Sequence, residues 1–203
     1  MSTMGSDEWN VRYAEAVANS DTVWSLAPNA WIADTVGHLE PGIAVDLGAG
    51  EGRNALWLAS LGWEVTAVDF SRVGLATGAA RAAELGVDIQ WIAADATTWV
   101  SPQQVDLVVI AYLQLPAAEL SRAIGNAAGY LAPGGTLAII GHDVDNLTRG
   151  VGGPRETTVL YCVESVREAA LGLDIVEARQ LNRVTDSGVA VDTILVARAG
   201  SAR

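Results

Sequence analysis

The feature that most constrains this chain is a series of five short apolar runs separated by segments of helical spacing. The runs are Ile43–Leu47, Glu64–Asp69, Ile89–Ala93, Val105–Ala111 and Thr136–Ile140, and the helical segments fall at roughly 53–62, 72–85 and 117–131. Near-continuous Val, Ile, Leu and Ala in a strand means burial on both faces, which is the condition of a parallel sheet. Strands that alternate with helices predict a doubly wound α/β fold. The last third changes character. A helix around Glu164–Leu171 precedes two extended runs, Asp174–Val184 and Ala190–Arg198, broken by the turn-forming Thr185-Asp186-Ser187-Gly188. This pair predicts a terminal antiparallel hairpin and a sheet of seven strands, mostly parallel.

Before the first run, residues 7–39 predict two helical segments. Trp9, Tyr13 and Val17 recur on one helical face, and Pro28 is suited to opening the second helix. The expectation is one domain over 1–203, a helical cap at 1–40 on an α/β core at 41–203. Half of the residues are hydrophobic, enough for one buried core. The net charge is −12, and every cation among the 12 basic residues is an arginine. So acidic a chain repels phosphate backbones, which disfavours nucleic acid as a partner. Cys162, the single cysteine, can form no internal disulfide and reads as a packing residue. The polar start MSTMGSDEW has no signal-peptide pattern, and no apolar run reaches the roughly 18 residues of a membrane span, so a cytoplasmic protein is expected.

Chemistry concentrates at the first strand-to-helix turn, Val45-Asp46-Leu47-Gly48-Ala49-Gly50-Glu51-Gly52-Arg53-Asn54-Ala55. Alternate glycines let the backbone turn tightly and approach a ligand, and the following helix offers its unpaired N–H groups. Gly50 to Ala55 also fits the dinucleotide fingerprint, so NAD is an alternative. Charge discriminates between the two. Asp46 and Glu51 would repel a pyrophosphate, whereas the sulfonium and ammonium of S-adenosylmethionine suit them. Asp69, ending the second strand, can accept both hydroxyls of a ribose, which the two cofactors share. Asp95, ending the third, can accept from an adenine amino group beside the backbone of Ala94 and Ala96; the competing reading is an ordinary turn aspartate. Ser71 reads as a helix cap.

Val45–Ala55, Val65–Ser71, Ala94–Ala96 and Leu131–Leu137 together resemble the successive motifs of class I S-adenosylmethionine-dependent methyltransferases, over about residues 40–142. The stretch Gly50–Ala59, with Trp24, Pro28 and Asn29, resembles the branch of tellurite-resistance and thiopurine-type enzymes, which act on small, soft nucleophiles. The resemblance implies a Rossmann-like sheet and methyl transfer from S-adenosylmethionine to a small-molecule acceptor such as a thiol or metalloid oxyanion. The cofactor set expected on these grounds is Asp46, Gly48, Gly50, Glu51, Asp69, Phe70, Asp95, Ala96 and Ala111. An NAD-dependent dehydrogenase and a non-catalytic S-adenosylmethionine-binding protein are the alternatives.

In an open α/β sheet the ligand lies beyond the carboxyl ends of the strands. The fourth strand ends at Ala111-Tyr112-Leu113-Gln114 and the fifth at Gly141-His142-Asp143, so Tyr112 and His142 are expected to face the acceptor. The Gly-rich stretch 146–154 that follows reads either as a lid or as a surface connector, and carries Arg149 as a cation for an anionic acceptor. Arg53 is a second such cation, with pairing to Glu51 as its competing role. Tyr13, Trp24 and Trp31 read as core packing that can also exclude water from the cleft. His38 reads as a surface residue at a helix end.

Overall fold

The computed structural model describes residues 5–19 and 26–201. Seven strands form one sheet: β1 (Ile43–Leu47), β2 (Glu64–Asp69), β3 (Ile89–Ala93), β4 (Val105–Ala111), β5 (Leu131–His142), β6 (Asp174–Thr185) and β7 (Gly188–Arg198). Their order is β3-β2-β1-β4-β5-β7-β6, parallel from β3 through β5, with β7 antiparallel to both β5 and β6. The hairpin therefore folds back, placing its second strand inside the sheet and leaving β6 at the edge. The helices are α1 (Ser6–Ala18), α2 (Ala30–Val36), α3 (Arg53–Ser60), α4 (Arg72–Leu85), α5 (Ala117–Gly129), α6 (Asn146–Arg149) and α7 (Val163–Ala169). Among the described residues no helix is long and apolar enough to cross a membrane.

Both faces of the sheet's centre, β1, β4 and the second half of β5, are dry, which accounts for the apolar runs there. Val45, Val108, Ile110, Leu137 and Ile139 pack on one side with Leu120 and Ile124 of α5 and Val166 of α7. Ala44, Leu107, Val109, Ala138 and Ile140 pack on the other with Ile32 and Val36 of α2 and Leu58 of α3. Adjacent residues of one strand thus serve opposite cores, the period-2 geometry of a pleated strand. Trp31 packs against the second core, as the sequence suggested, and His38 is exposed. Trp24 and the side chain of Val17 lie outside what is described.

Local capping sets the helix starts. Asn29, not Pro28, is the cap of α2: its side chain accepts from Ile32 N at 3.1 Å, and its own N–H donates to Asn54 of α3 at 2.9 Å. Ser71 caps α4, accepting from Gly74 N at 3.2 Å. Strand β5 starts five residues earlier than the apolar pattern predicts. Leu131 already pairs with Val105, and the ladder then shifts register before Thr136 meets Leu107. The Pro-Gly-Gly insertion that makes this bulge hid the strand's first half from an apolarity count.

The segment after β5 is a pinned connector. Asn146 is buried; its Oδ1 accepts from Val191 N at 2.7 Å and its Nδ2 donates to Gly152 O at 2.9 Å. Val151 N adds a bond to Val189 O at 3.0 Å. One amide side chain therefore ties 146–152 to the start of β7. Asn146→Ala leaves Val191 N–H buried without that acceptor, and the expected cost is about 1–3 kcal/mol. Denaturant unfolding should show a lowered midpoint at unchanged slope, and hydrogen exchange should show faster exchange at Val151 and Val191. Unchanged values on both would contradict the pinning.

Candidate active site

Strands β1 and β4 are parallel neighbours. The helices that follow them leave to opposite faces, α3 to one core and α5 to the other. Neither helix covers the carboxyl ends of the two strands, and a cleft opens there. It encloses about 700 Å³, its open mouth included. One half is backbone and carboxylate. Gly48 turns at φ +80°, where a Cβ would sit 2.8 Å from the Leu113 side chain, and Gly52 turns at φ +75°, where a Cβ would strike the Trp91 ring. Both positions require glycine on conformation and on space. Asp69, half-buried, accepts from Gly50 N at 2.8 Å through Oδ2 and from Ser71 N at 2.7 Å through Oδ1. Each oxygen keeps a second lone pair for a ligand hydroxyl. Phe70, Ala96 and Ala111 complete this half.

Trp9 and Tyr13 of α1 form a wall of the same cleft, their rings 5.7 Å apart. A polar latch holds the helix there. Asn10 Oδ1 accepts from the Ser71 hydroxyl at 2.7 Å and from Val73 N at 3.3 Å, so α1 docks onto the start of α4. Tyr13, read from the sequence chiefly as core, is both buried and cleft-facing, and so is Trp9.

The other half of the cleft is built around Tyr112, the one described non-glycine residue at positive φ, +58°. Its ring takes the guanidinium of Arg53 at 5.9 Å and that of Arg183 at 5.6 Å, and lies 4.8 Å from the His142 ring. Its hydroxyl donates to Asp192 Oδ2 at 3.0 Å. Asp192 is fully buried and also accepts from Arg183 Nε at 2.7 Å. His142 Nδ1 lies 3.1 Å from Asp192 Oδ1, an ion-pair distance without the alignment of a hydrogen bond. Burial alone would raise the Asp192 carboxyl, but the His142 and Arg183 contacts hold it below the ordinary aspartate range. Burial, and then the Asp192 charge, push the Tyr112 phenol up, so it stays protonated. Burial lowers the Arg53 guanidinium, with neighbouring Arg183 adding to the effect.

The expected site residues separate into two groups. Gly48, Asp69, Phe70, Ala96, Ala111, Tyr112 and Arg53 line the cleft. Asp46, Gly50, Glu51, Asp95, His142 and Arg149 do not. Asp46 is turned into the first turn of α3, accepting from Ala55 N at 3.1 Å. Gly50 acts through its N–H on Asp69. Glu51 is buried with Arg81 3.6 Å away and pairs with that arginine and not with Arg53. Asp95 is exposed and accepts from Thr97 N at 2.8 Å, the geometry of a turn aspartate. His142 contacts Tyr112 and Asp192, not Asp143, and Gly153 lies against its ring. Arg149 points away from the cleft because its helical turn brings it onto Asp145 and Gln180, each at 2.7 Å. The residues that sequence reasoning missed are Arg183 and Asp192, on the hairpin. The one signal was a lone carboxylate inside the apolar run Val189–Val196, a position that a buried strand does not give to Asp without a partner.

Residues 44–135 match the model of a family described as a methyltransferase domain. The matched span holds the glycine turn and strands β1 to β4. No curated protein matches the sequence. Solved structures resemble this chain in fold. TehB from Haemophilus influenzae superposes with a TM-score of 0.73 at 19% identity, over 96% of this chain and 66% of that one. This chain thus spans about two thirds of that protein's length. The N-methyltransferase NodS from Bradyrhizobium japonicum WM9, solved with S-adenosylhomocysteine, gives 0.71 at 19% identity, over 94% of this chain and 98% of that one. The [4+2]-cyclase SpnF gives 0.68 at 20% identity, over 85% and 79%.

The buried Asp46 supplies a pH signature. Burial lifts its carboxyl from the ordinary 3.8 to about 7 against the Ala55 hydrogen bond and the Arg53 charge. Between those values the folded state holds a proton that the unfolded state has released. Stability is therefore favoured at low pH and falls as pH rises from about 4 to about 7. Asp46→Asn removes the effect: the wild type should lose stability relative to the variant across that window, by a difference on the order of 4 kcal/mol. Paired denaturation curves at the two ends check this; parallel pH profiles would contradict it.

Proposed function

We propose that this chain is a methyltransferase, and that it moves a methyl group from S-adenosylmethionine to a small-molecule acceptor that enters over Tyr112. The observation that carries the reading is the division of one cleft into two unlike halves. The Gly48 turn, Asp69, Phe70 and Ala96 offer close backbone approach, an acceptor pair for ribose hydroxyls and apolar cover for an adenine. The Tyr112 side offers an aromatic ring and guanidinium donors. When bound, the cofactor supplies an electrophilic methyl on a cationic sulfur. Asp69 would hold the ribose, the Gly48 backbone would admit the amino-acid part, and Trp9 and Tyr13 would exclude water. Tyr112 and Arg53 would hold the acceptor in line, and alignment of this kind supplies much of the acceleration of a displacement.

No described cleft-lining side chain on the Tyr112 half is a base at neutral pH: the phenol is held protonated and Arg53 is a cation. This supports acceptors that are already nucleophilic, thiolates and oxyanions among them, in keeping with the soft nucleophiles implied by the sequence resemblance. SpnF, a [4+2]-cyclase on the same fold, is the reason to measure methyl transfer directly and not to infer it from architecture.

Two measurements test the reading. S-adenosylhomocysteine at about 100 times its Kd should add about 2.7 kcal/mol to stability and raise Tm by roughly 5–10 °C. Asp69→Ala should weaken that ligand at least about tenfold with the fold intact, since hydrogen bonds to a charged group contribute about 1.5–3 kcal/mol each. Transfer of labelled methyl across a panel of thiols, metalloid oxyanions and phenols should then find a product. Cofactor binding with no product across the panel would favour a binding-only protein, and absence of binding would overturn the assignment.

A further inference from the structure

Asn54 stands on the first turn of α3, directly after the glycine turn, and lines the cleft while only 4% exposed. Its amide has a fixed sense. Asn29 N donates to it at 2.9 Å, and since a backbone N–H can only donate, the atom it meets is the carbonyl oxygen Oδ1. The NH2 end is left over, and Nδ2 makes no hydrogen bond to any described residue. A donor without an acceptor in a buried wall is costly, and this one borders an open cleft from which a ligand can supply the acceptor. The surroundings favour an anionic oxygen. The first turn of α3 carries no acidic residue, so the partial positive charge of its N-terminus stands uncompensated by its own side chains. Asp46 is turned onto Ala55 N, and Glu51 is buried beside Arg81. Asp69 is the single carboxylate among the described residues that line the cleft.

We propose that Asn54 donates through Nδ2 to the carboxylate of the cofactor's amino-acid part. This rests on the methyl-transfer reading above and names the side chain that reads that end of S-adenosylmethionine. The division of labour follows from donor and acceptor type: the Asp69 carboxylate can only accept, which suits hydroxyls, and the Asn54 NH2 can only donate, which suits a carboxylate. A neutral amide also fits a ligand of mixed charge. It holds the anionic end without placing a further cation beside the sulfonium and the ammonium. The bond that fixes the amide comes from the residue that caps α2, so the start of α2 and the cofactor side of the cleft share one buried pair, Asn29 and Asn54. An oxyanion on the methyl acceptor offers the same chemistry to Nδ2, and the test separates the two sources.

The test titrates the full chain by calorimetry with S-adenosylhomocysteine and with its decarboxylated analogue, which differ only in the carboxylate. The wild type should bind S-adenosylhomocysteine about tenfold or more tightly than the analogue. Asn54→Asp keeps an oxygen for the Asn29 N–H and puts a charged oxygen where the donor was. It should lower the preference at least about tenfold, with the analogue's own affinity falling by no more than about twofold. Asn54→Ala, which adds no charge, should lower the preference at least about threefold. A loosened fold would weaken both ligands alike and leave their ratio unchanged. Equal binding of the two ligands by the wild type, or a preference that survives in both variants, would overturn the role of Asn54 alone; the second result would leave the acceptor's oxyanion as the group Nδ2 serves. A wild type that binds no S-adenosylhomocysteine would overturn the methyl-transfer reading and this assignment with it.

Discussion

The parallel pairing of β1 with β4 is the constraint from which the rest of the site follows. The chain leaves β1 for one face of the sheet and reaches β4 after crossing on β2 and β3, then leaves β4 for the other face. Adjacent strands whose helices diverge must leave a crevice at their carboxyl ends. The glycine turn after β1 and the strained Tyr112 after β4 are the two lips of that crevice. Gly48 and Arg53 reach it from the first lip and Tyr112 from the second, while Asp69 and Phe70 come from the end of β2.

The second dependence is on the antiparallel hairpin. Had the sheet ended at β5, the Tyr112 lip would lie at an open edge. Instead β7 inserts beside β5 and brings Asp192 opposite His142 in register, while β6 carries Arg183 across from Ala190. A buried carboxylate is costly without partners, and here two donors, Tyr112 and Arg183, bond it while His142 lies at ion-pair distance. The pinned 146–152 segment lies against the same strand and fixes its start. A strand pair that completes the core therefore also supplies the charge pattern behind Tyr112, and both roles depend on the β5–β7 ladder.

Much of this was legible in the sequence because burial leaves a record in composition. β1, β2, β3 and β4 were read at their observed limits, and the central β1 and β4, dry on both faces, show most plainly as apolar runs. Asp69 and the Gly48 turn were legible because their spacing to the strand ends is fixed by the fold. The first half of β5 was not, because a Pro-Gly-Gly bulge interrupts the pattern. Arg149 sits where expected in the chain, but its orientation depends on a single helical turn and on Gln180, thirty-one residues away. Arg183 and Asp192 were passed over because alternation in a hairpin explains most residues as inward or outward. Only pairing across strands shows that two of them meet Tyr112. Side-chain direction and long-range pairing are tertiary facts, and no local pattern encodes them.

The central claim is that one cleft brings the cofactor's reactive end against the Tyr112 cluster. A crystal structure with S-adenosylhomocysteine bound tests it most directly. The account predicts the ribose hydroxyls on Asp69, the adenine beside Phe70 and Ala96, and the sulfur facing the Tyr112 ring with Arg53 and Arg183 beyond it. A ligand bound with its sulfur turned from Tyr112, or bound outside this cleft, would contradict the account.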